Sequence, residues 1–123
     1  MRVPVLKQGR YLIASVQSSL DDQDWETLKK ELNEKVGQYR STGVIIDVTI
    51  VDLIDSFAAR SLRNISQVLR IRGARTMVVG IQPEVGFSMI QLGLRLDGVQ
   101  TALDLDDGMR LLEEQRRGGE PNA

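Results

Sequence analysis

Residues 43–62 read GVIIDVTIVDLIDSFAARSL, and this stretch decides the fold. Val44, Ile45, Ile46 and Val48 make a near-continuous β-branched run, broken only by Asp47. Such a run suits a strand covered on both faces, as in parallel sheets. The segment after it mixes apolar and acidic residues without a period and reads as a connection. From Ser56 onward, Ala58, Leu62, Ile65 and Leu69 recur at steps of four and three. That is the apolar stripe of an amphipathic helix over about 56–71. A buried strand feeding a helix is the repeating unit of an α/β sheet, and sites in such sheets gather beyond the carboxyl ends of the strands.

Outward from this unit the pattern repeats. Toward the C-terminus, TMVV at 76–79 predicts another buried strand, after Gly73 ends the preceding helix. Pro83 sits where the first turn of a helix tolerates proline, and Val85, Met89, Ile90 and Leu92 carry that helix to about 94. Residues 99–103 predict a short last strand. Asp104 or Asp106 then caps a final helix carrying Leu105, Met109 and Leu112. Toward the N-terminus, the stripe Trp25, Leu28, Leu32, Val36 and Tyr39 predicts a helix over 21–40. Asp21, Asp22 and Asp24 crowd its positive end. Glu26–Lys30 and Glu31–Lys35 stand in the favourable i,i+4 order, and Gly43 is the expected left-handed C-cap. YLIASV at 11–16 predicts a strand, and Gln8-Gly9-Arg10 a tight turn to an edge strand at 3–7 that contains Pro4. The order is β-β-α-β-α-β-α-β-α. It predicts one mixed, mostly parallel sheet of about five strands with an N-terminal antiparallel hairpin and about four helices.

The chain has 123 residues, formal net charge −1, no cysteine, no histidine and five aromatic residues. That length fits one domain, expected over 1–114, and a chain of this size buries roughly two-thirds of its unfolded surface. The end, 115–123, reads as a disordered tail rich in Gly, Pro and charge. Near-zero charge argues against nucleic-acid or anionic-membrane binding by bulk electrostatics. Without cysteine there is no thiolate nucleophile, and without histidine the commonest general base and metal ligand is missing. Neither a GxSxG elbow nor a Gly-rich phosphate loop is present. The expectation is a non-enzymatic cytoplasmic domain with no catalytic residue, cofactor or metal. A phosphoacceptor-aspartate receiver domain is a poor fit, because every lysine lies at or before Lys35 and the late lysine of such domains is vacant.

Ser56 stands where the N-cap of the central helix is expected, its hydroxyl accepting an N–H from the first turn. In that role its loss to Ala would cost about 1 kcal/mol. The same place suits a phosphate, which would meet unpaired N–H groups at the positive helix end, opposed by Asp52 and Asp55. Ser56, Arg60, Arg63, Gln67 and Arg70 form one polar stripe. It reads either as a solvated basic face or as a docking surface for an acidic partner, with Arg60 in reach of a phosphoserine. Asp47, at the end of a buried strand, needs hydrogen-bond partners in the following loop.

These residues resemble the signature of the STAS domains, the sulfate transporter and anti-sigma-factor antagonist family. The pattern is a strand ending in Asp, then Asp55-Ser56 opening a helix. GARTMVVGIQPEVGFSMIQLGL and TALDLDDGMRLLEE are similar to the family's later strand–helix units, so the likeness runs over about 3–114. IDSFAA and GIQPEVG resemble the stressosome branch in particular. Simple anti-sigma-factor antagonists carry a small residue and Gly after their phosphoserine, where this chain has Phe57-Ala58. The resemblance implies a scaffold that assembles with an RsbR-type paralogue and holds an RsbT-type switch kinase. It implies phosphorylation at Ser56, with reset by an RsbX-type phosphatase. Ser88 falls where paralogues carry a second phosphorylated residue. Asp55, Phe57, Arg60 and Arg63 are the expected docking residues. The alternative is a simple anti-sigma-factor antagonist governed by the same serine.

Overall fold

The computed structural model describes residues 3–119. Five strands and four helices alternate as the sequence predicts: β1 (Val5–Gln8), β2 (Tyr11–Ser15), α1 (Asp22–Tyr39), β3 (Gly43–Asp47), α2 (Ser56–Ile71), β4 (Arg75–Val79), α3 (Pro83–Gln91), β5 (Gln100–Ala102) and α4 (Leu105–Gly119). The strands lie side by side in chain order. β1 and β2 form the antiparallel hairpin, and every later pair is parallel. Each parallel step needs a crossover, which α1, α2 and α3 supply.

The two-residue period of the strands sorts the core into two layers. Leu12, Ala14, Val44, Ile46 and Val78 point to one face, against Leu28 and Leu32 of α1, Leu62 and Ile65 of α2, and Val85 and Met89 of α3. Ile13, Ile45, Met77 and Val79 point to the other, against Leu112 and the half-buried Leu105 and Met109 of α4. Continuous apolar runs are therefore required in β3 and β4, which have helices on both sides. The Tyr11 hydroxyl at the start of β2 donates to Glu113 of α4, which also binds Arg116 at 2.7 Å. Those two partners hold the Glu113 carboxyl down at about 2, with Arg116 the larger influence.

Several local expectations change. Arg40, not Gly43, takes the left-handed conformation that ends α1, with φ 52°. Gly43 instead opens β3, where a Cβ would stand 2.9 Å from the Tyr11 ring and 3.0 Å from Leu112. The glycine is needed for close packing beneath α4 rather than for a turn. Asp21 caps α1 and shares a reciprocal capping box with Asp24. Glu26 pairs with Lys29 at 3.0 Å instead of Lys30, while the Glu31–Lys35 pair forms at 4.0 Å. Asp104 caps α4, accepting from the Asp107 N–H at 2.9 Å. α3 stops at Gln91, short of 94, and leaves Ile90 and Leu92 exposed. Residues 115–119 continue α4 instead of forming an irregular tail. The remainder of the expected tail, 120–123, lies outside the described residues.

Candidate functional site

The site lies at the carboxyl ends of β2 and β3, where the chain leaves the sheet and enters α2. Asp47 ends β3 with its Oδ1 accepting from the Thr49 N–H at 2.9 Å and from the Thr49 hydroxyl at 2.5 Å. This is the strand-end role expected of it. Gln82, just before α3, donates to the Thr49 carbonyl at 2.9 Å. Gly80 makes room for that turn, with φ +81° and a would-be Cβ only 2.1 Å from the Thr49 hydroxyl oxygen. Val51 and Ile54 then plug into the core, while Ile50 and Leu53 stay 60% and 56% exposed. Two buried anchors three residues apart hold the loop down, and the residues beside them turn outward.

α2 begins at Ser56, but Ser56 is not its cap. Asp55 takes that place, its Oδ1 accepting from the Ala58 N–H at 2.8 Å. The expectation of a capping Ser56 hydroxyl is therefore corrected by one residue. Both side chains are good caps, and Asp55 is the one with extended backbone, φ −88° and ψ −178°. Ser56 is the first helical residue and is exposed. Its hydroxyl is left off the helix's capping duty at an exposed rim. Phe57 is half-buried against the core, and the Arg60 guanidinium lies 5.9 Å from its ring centre. Phe57 thereby steadies Arg60 one turn from Ser56.

The polar stripe of α2 is more than a solvated face. Arg63 donates to the Arg95 carbonyl at 2.5 Å, Ser66 to the Gly98 carbonyl at 2.8 Å, and Arg70 to the same carbonyl at 3.5 Å. Arg95 itself pairs with Asp97 at 3.4 Å. Ser56, Arg60 and Arg63 line a groove of about 290 Å³ with Gly93, Leu94, Arg95 and Asp97. The structure thus brings together Ser56, Asp55, Phe57, Arg60 and Arg63. Ser88, exposed on α3, is not among the residues that line this groove. Sequence reading missed Arg95 and Asp97, more than 30 residues from Ser56, Arg60 and Arg63, with which they line the groove, and no local pattern points to them. It also missed the outward Ile50 and Leu53, although the three-residue spacing of Val51 and Ile54 signals which residues turn in.

Among the described residues, no cluster of three or more acidic side chains is arranged to hold a metal ion. Nor, among them, is any helix long and apolar enough to cross a membrane. The rim carries an exposed hydroxyl, two outward apolar side chains and a row of guanidinium groups.

Comparison with known proteins agrees with the fold. The family model described as the STAS domain matches residues 2–107. The structure of a Ser-to-Glu variant of RsbS from Moorella thermoacetica superposes with a TM-score of 0.79 at 31% identity, covering 94% of this chain and 97% of that one. A chain from the structure of the stressosome, a signal integration and transduction hub, gives a TM-score of 0.77 at 32% identity, with 93% and 99% covered. The RsbT co-antagonist protein RsbRA of Bacillus subtilis (strain 168) is 29% identical over 99 residues, which are 72% of this chain. The match spans only 36% of RsbRA.

Proposed function

The chain belongs to the STAS domain family and is related to the stressosome proteins RsbS and RsbR, and on that premise we propose that it is a non-catalytic, cytoplasmic scaffold of a bacterial stressosome. In this reading it assembles with an RsbR-type paralogue and sequesters an RsbT-type serine/threonine switch kinase. Phosphorylation of Ser56 by that kinase releases it, and an RsbX-type phosphatase restores the serine.

One observation carries the reading. Ser56 is exposed at the strand-to-helix rim, and Asp55 performs the capping that would otherwise occupy its hydroxyl. A phosphate added there changes the docking face and leaves α2 capped. Arg60 and Arg63 line the groove with Ser56; Asp55 and Phe57 flank the serine in sequence, and the loop before α2 exposes Ile50 and Leu53. Ser88 is a second candidate for modification, on the exposed surface of α3.

The alternative is a simple anti-sigma-factor antagonist, small in solution and controlled by the same serine. Size-exclusion chromatography separates the two. A megadalton species formed with an RsbR-type paralogue supports the scaffold; small species under all conditions reject it. Capture of an RsbT-type kinase tests the switch: Ser56→Ala retains the kinase in the presence of ATP, while wild type lets it go. Equal release from both removes Ser56 from the mechanism.

A further inference from the structure

Resting on the reading of Ser56 as the modified residue, we propose that its phosphate is held by its own chain, in the groove of Arg60, Arg63 and Arg95, and that filling this groove draws the Arg63 side chain off the backbone of residues 93–97, which then meets the first turns of α2 through the Arg95 side chain instead.

The groove is built from two segments that the phosphate would tie together. Its lining carries three guanidinium groups and the one carboxylate of Asp97, a sum of +2. Asp55 stands beside it, engaged with the Ala58 N–H. A phosphoserine brings a charge of about −1.5 to −2 and three acceptor oxygens. Those oxygens match guanidinium donors better than the acceptors now in use do. At present Arg63 spends a donor on the neutral carbonyl of Arg95, and Arg95 pairs with an exposed Asp97. Both bonds are exchangeable for a contact with a dianion. Arg60 is already held near the first turn by the Phe57 ring, so less side-chain freedom is lost when it turns to the phosphate.

The consequence lies in the loop between α3 and β5. α2 grips that loop by two carbonyls, those of Arg95 and Gly98. Drawing Arg63 to the phosphate gives up the first grip and leaves the second, made by Ser66 and Arg70. That stretch is bracketed by Gly93 and Gly98, whose φ values of +71° and +80° mark turns at its two ends. Modification at one end of α2 thus changes the surface contributed by a segment more than 30 residues away in sequence.

The test uses a chain carrying phosphoserine at position 56 by synthesis, so no kinase is needed. Its second phosphate ionisation is followed by phosphorus NMR, beside the same chain with R95A and an unfolded phosphopeptide covering residues 52–60. Arg95 is 76% exposed, so R95A leaves the core intact. A free phosphoserine titrates near pH 6. The expected result is a value at least about half a unit lower in the folded chain, moving back toward the peptide's in R95A. The same value with and without Arg95 overturns the seat, because the helix end alone lowers both equally. Amide exchange over 93–97 reads the second half: it quickens several-fold on phosphorylation, and R63A quickens it in the unmodified chain. Unchanged exchange overturns the withdrawal of Arg63. Kinase affinity of the synthetic phosphochain, measured in parallel, keeps the two readings apart. A shifted phosphate with undiminished kinase binding sinks the switch and spares the seat; the reverse sinks the seat and spares the switch.

Discussion

Ser56 and Ser88 are both exposed serines on helices of the same layer, yet their surroundings differ in kind. α2 buries Ala58, Ala59, Leu62, Ile65, Ser66 and Leu69, whereas α3 buries only Val85 and Met89. Ser56 opens its helix, where N–H groups lack partners and Arg60, Arg63 and Arg95 face the same groove. Ser88 sits inside its helix, with no basic residue anywhere in Pro83–Gln91 and Glu84 one turn earlier. Its neighbours Phe87 and Ile90 are 66% and 78% exposed. A phosphate at Ser56 meets compensating charge on a firmly packed platform. At Ser88 it meets a carboxylate and apolar surface on a lightly seated one. Exposure alone does not make two serines equivalent as switches.

The largest expected effect tests the platform. Leu62→Ala empties a fully buried position beneath α2 and costs about 2–5 kcal/mol in a denaturant titration. Met89→Ala, under α3, falls at the low end of that range. A reversed ranking removes the contrast between the helices. Next is the switch: Ser56→Asp lowers affinity for an RsbT-type kinase at least about tenfold, or 1.4 kcal/mol. Ser88→Asp changes it little, as read by isothermal calorimetry. Equal losses would erase the distinction between the two serines. Smaller again is the cap. Asp55→Ala costs about 1 kcal/mol, while Ser56→Ala stays within about 0.5 kcal/mol. The opposite order would return the capping role to Ser56.

The smallest effect lies on the far face of the sheet. Glu113 has its carboxyl held at about 2, against an ordinary value of 4.5, first by Arg116 and then by Tyr11. Its contribution is fully present above pH 4.5 and is lost as the pH falls toward 2. Glu113→Gln accordingly flattens the acid limb of the stability curve between those values, a small change because the pair is still partly open to solvent. An unaltered acid limb would show that α4 is seated by Leu112 and its apolar neighbours alone.

The sequence carries most of the architecture because the strongest signals are local. The β-branched run through Val44–Ile46 and the stripe from Ala58 to Leu69 define β3 and α2, and the bounds of α2 agree with its period. The strand-end role of Asp47 is legible for the same reason, since its partner is two residues on. Errors arise where two adjacent residues compete or where the reason is distant. Asp55 and Ser56 are both able caps, and only backbone geometry separates them. Gly43 looks like a C-cap until Tyr11 and Leu112 are seen to close over it. Arg40 takes the left-handed position despite its side chain. Ile90 and Leu92 follow an apolar pattern, but among the described residues no further element covers them. The Arg63–Arg95 contact joins residues 32 apart, so the groove around Ser56 is invisible to periodicity.

The central claim is that Ser56, rather than Ser88, is where this domain is switched. Incubation of the wild-type chain with an RsbT-type kinase and ATP, followed by mass spectrometry of its peptides, tests it most directly. Phosphate is expected on the peptide containing Ser56, with none incorporated into Ser56→Ala. Phosphate confined to the Ser88 peptide, or incorporated equally without the Ser56 hydroxyl, would contradict it.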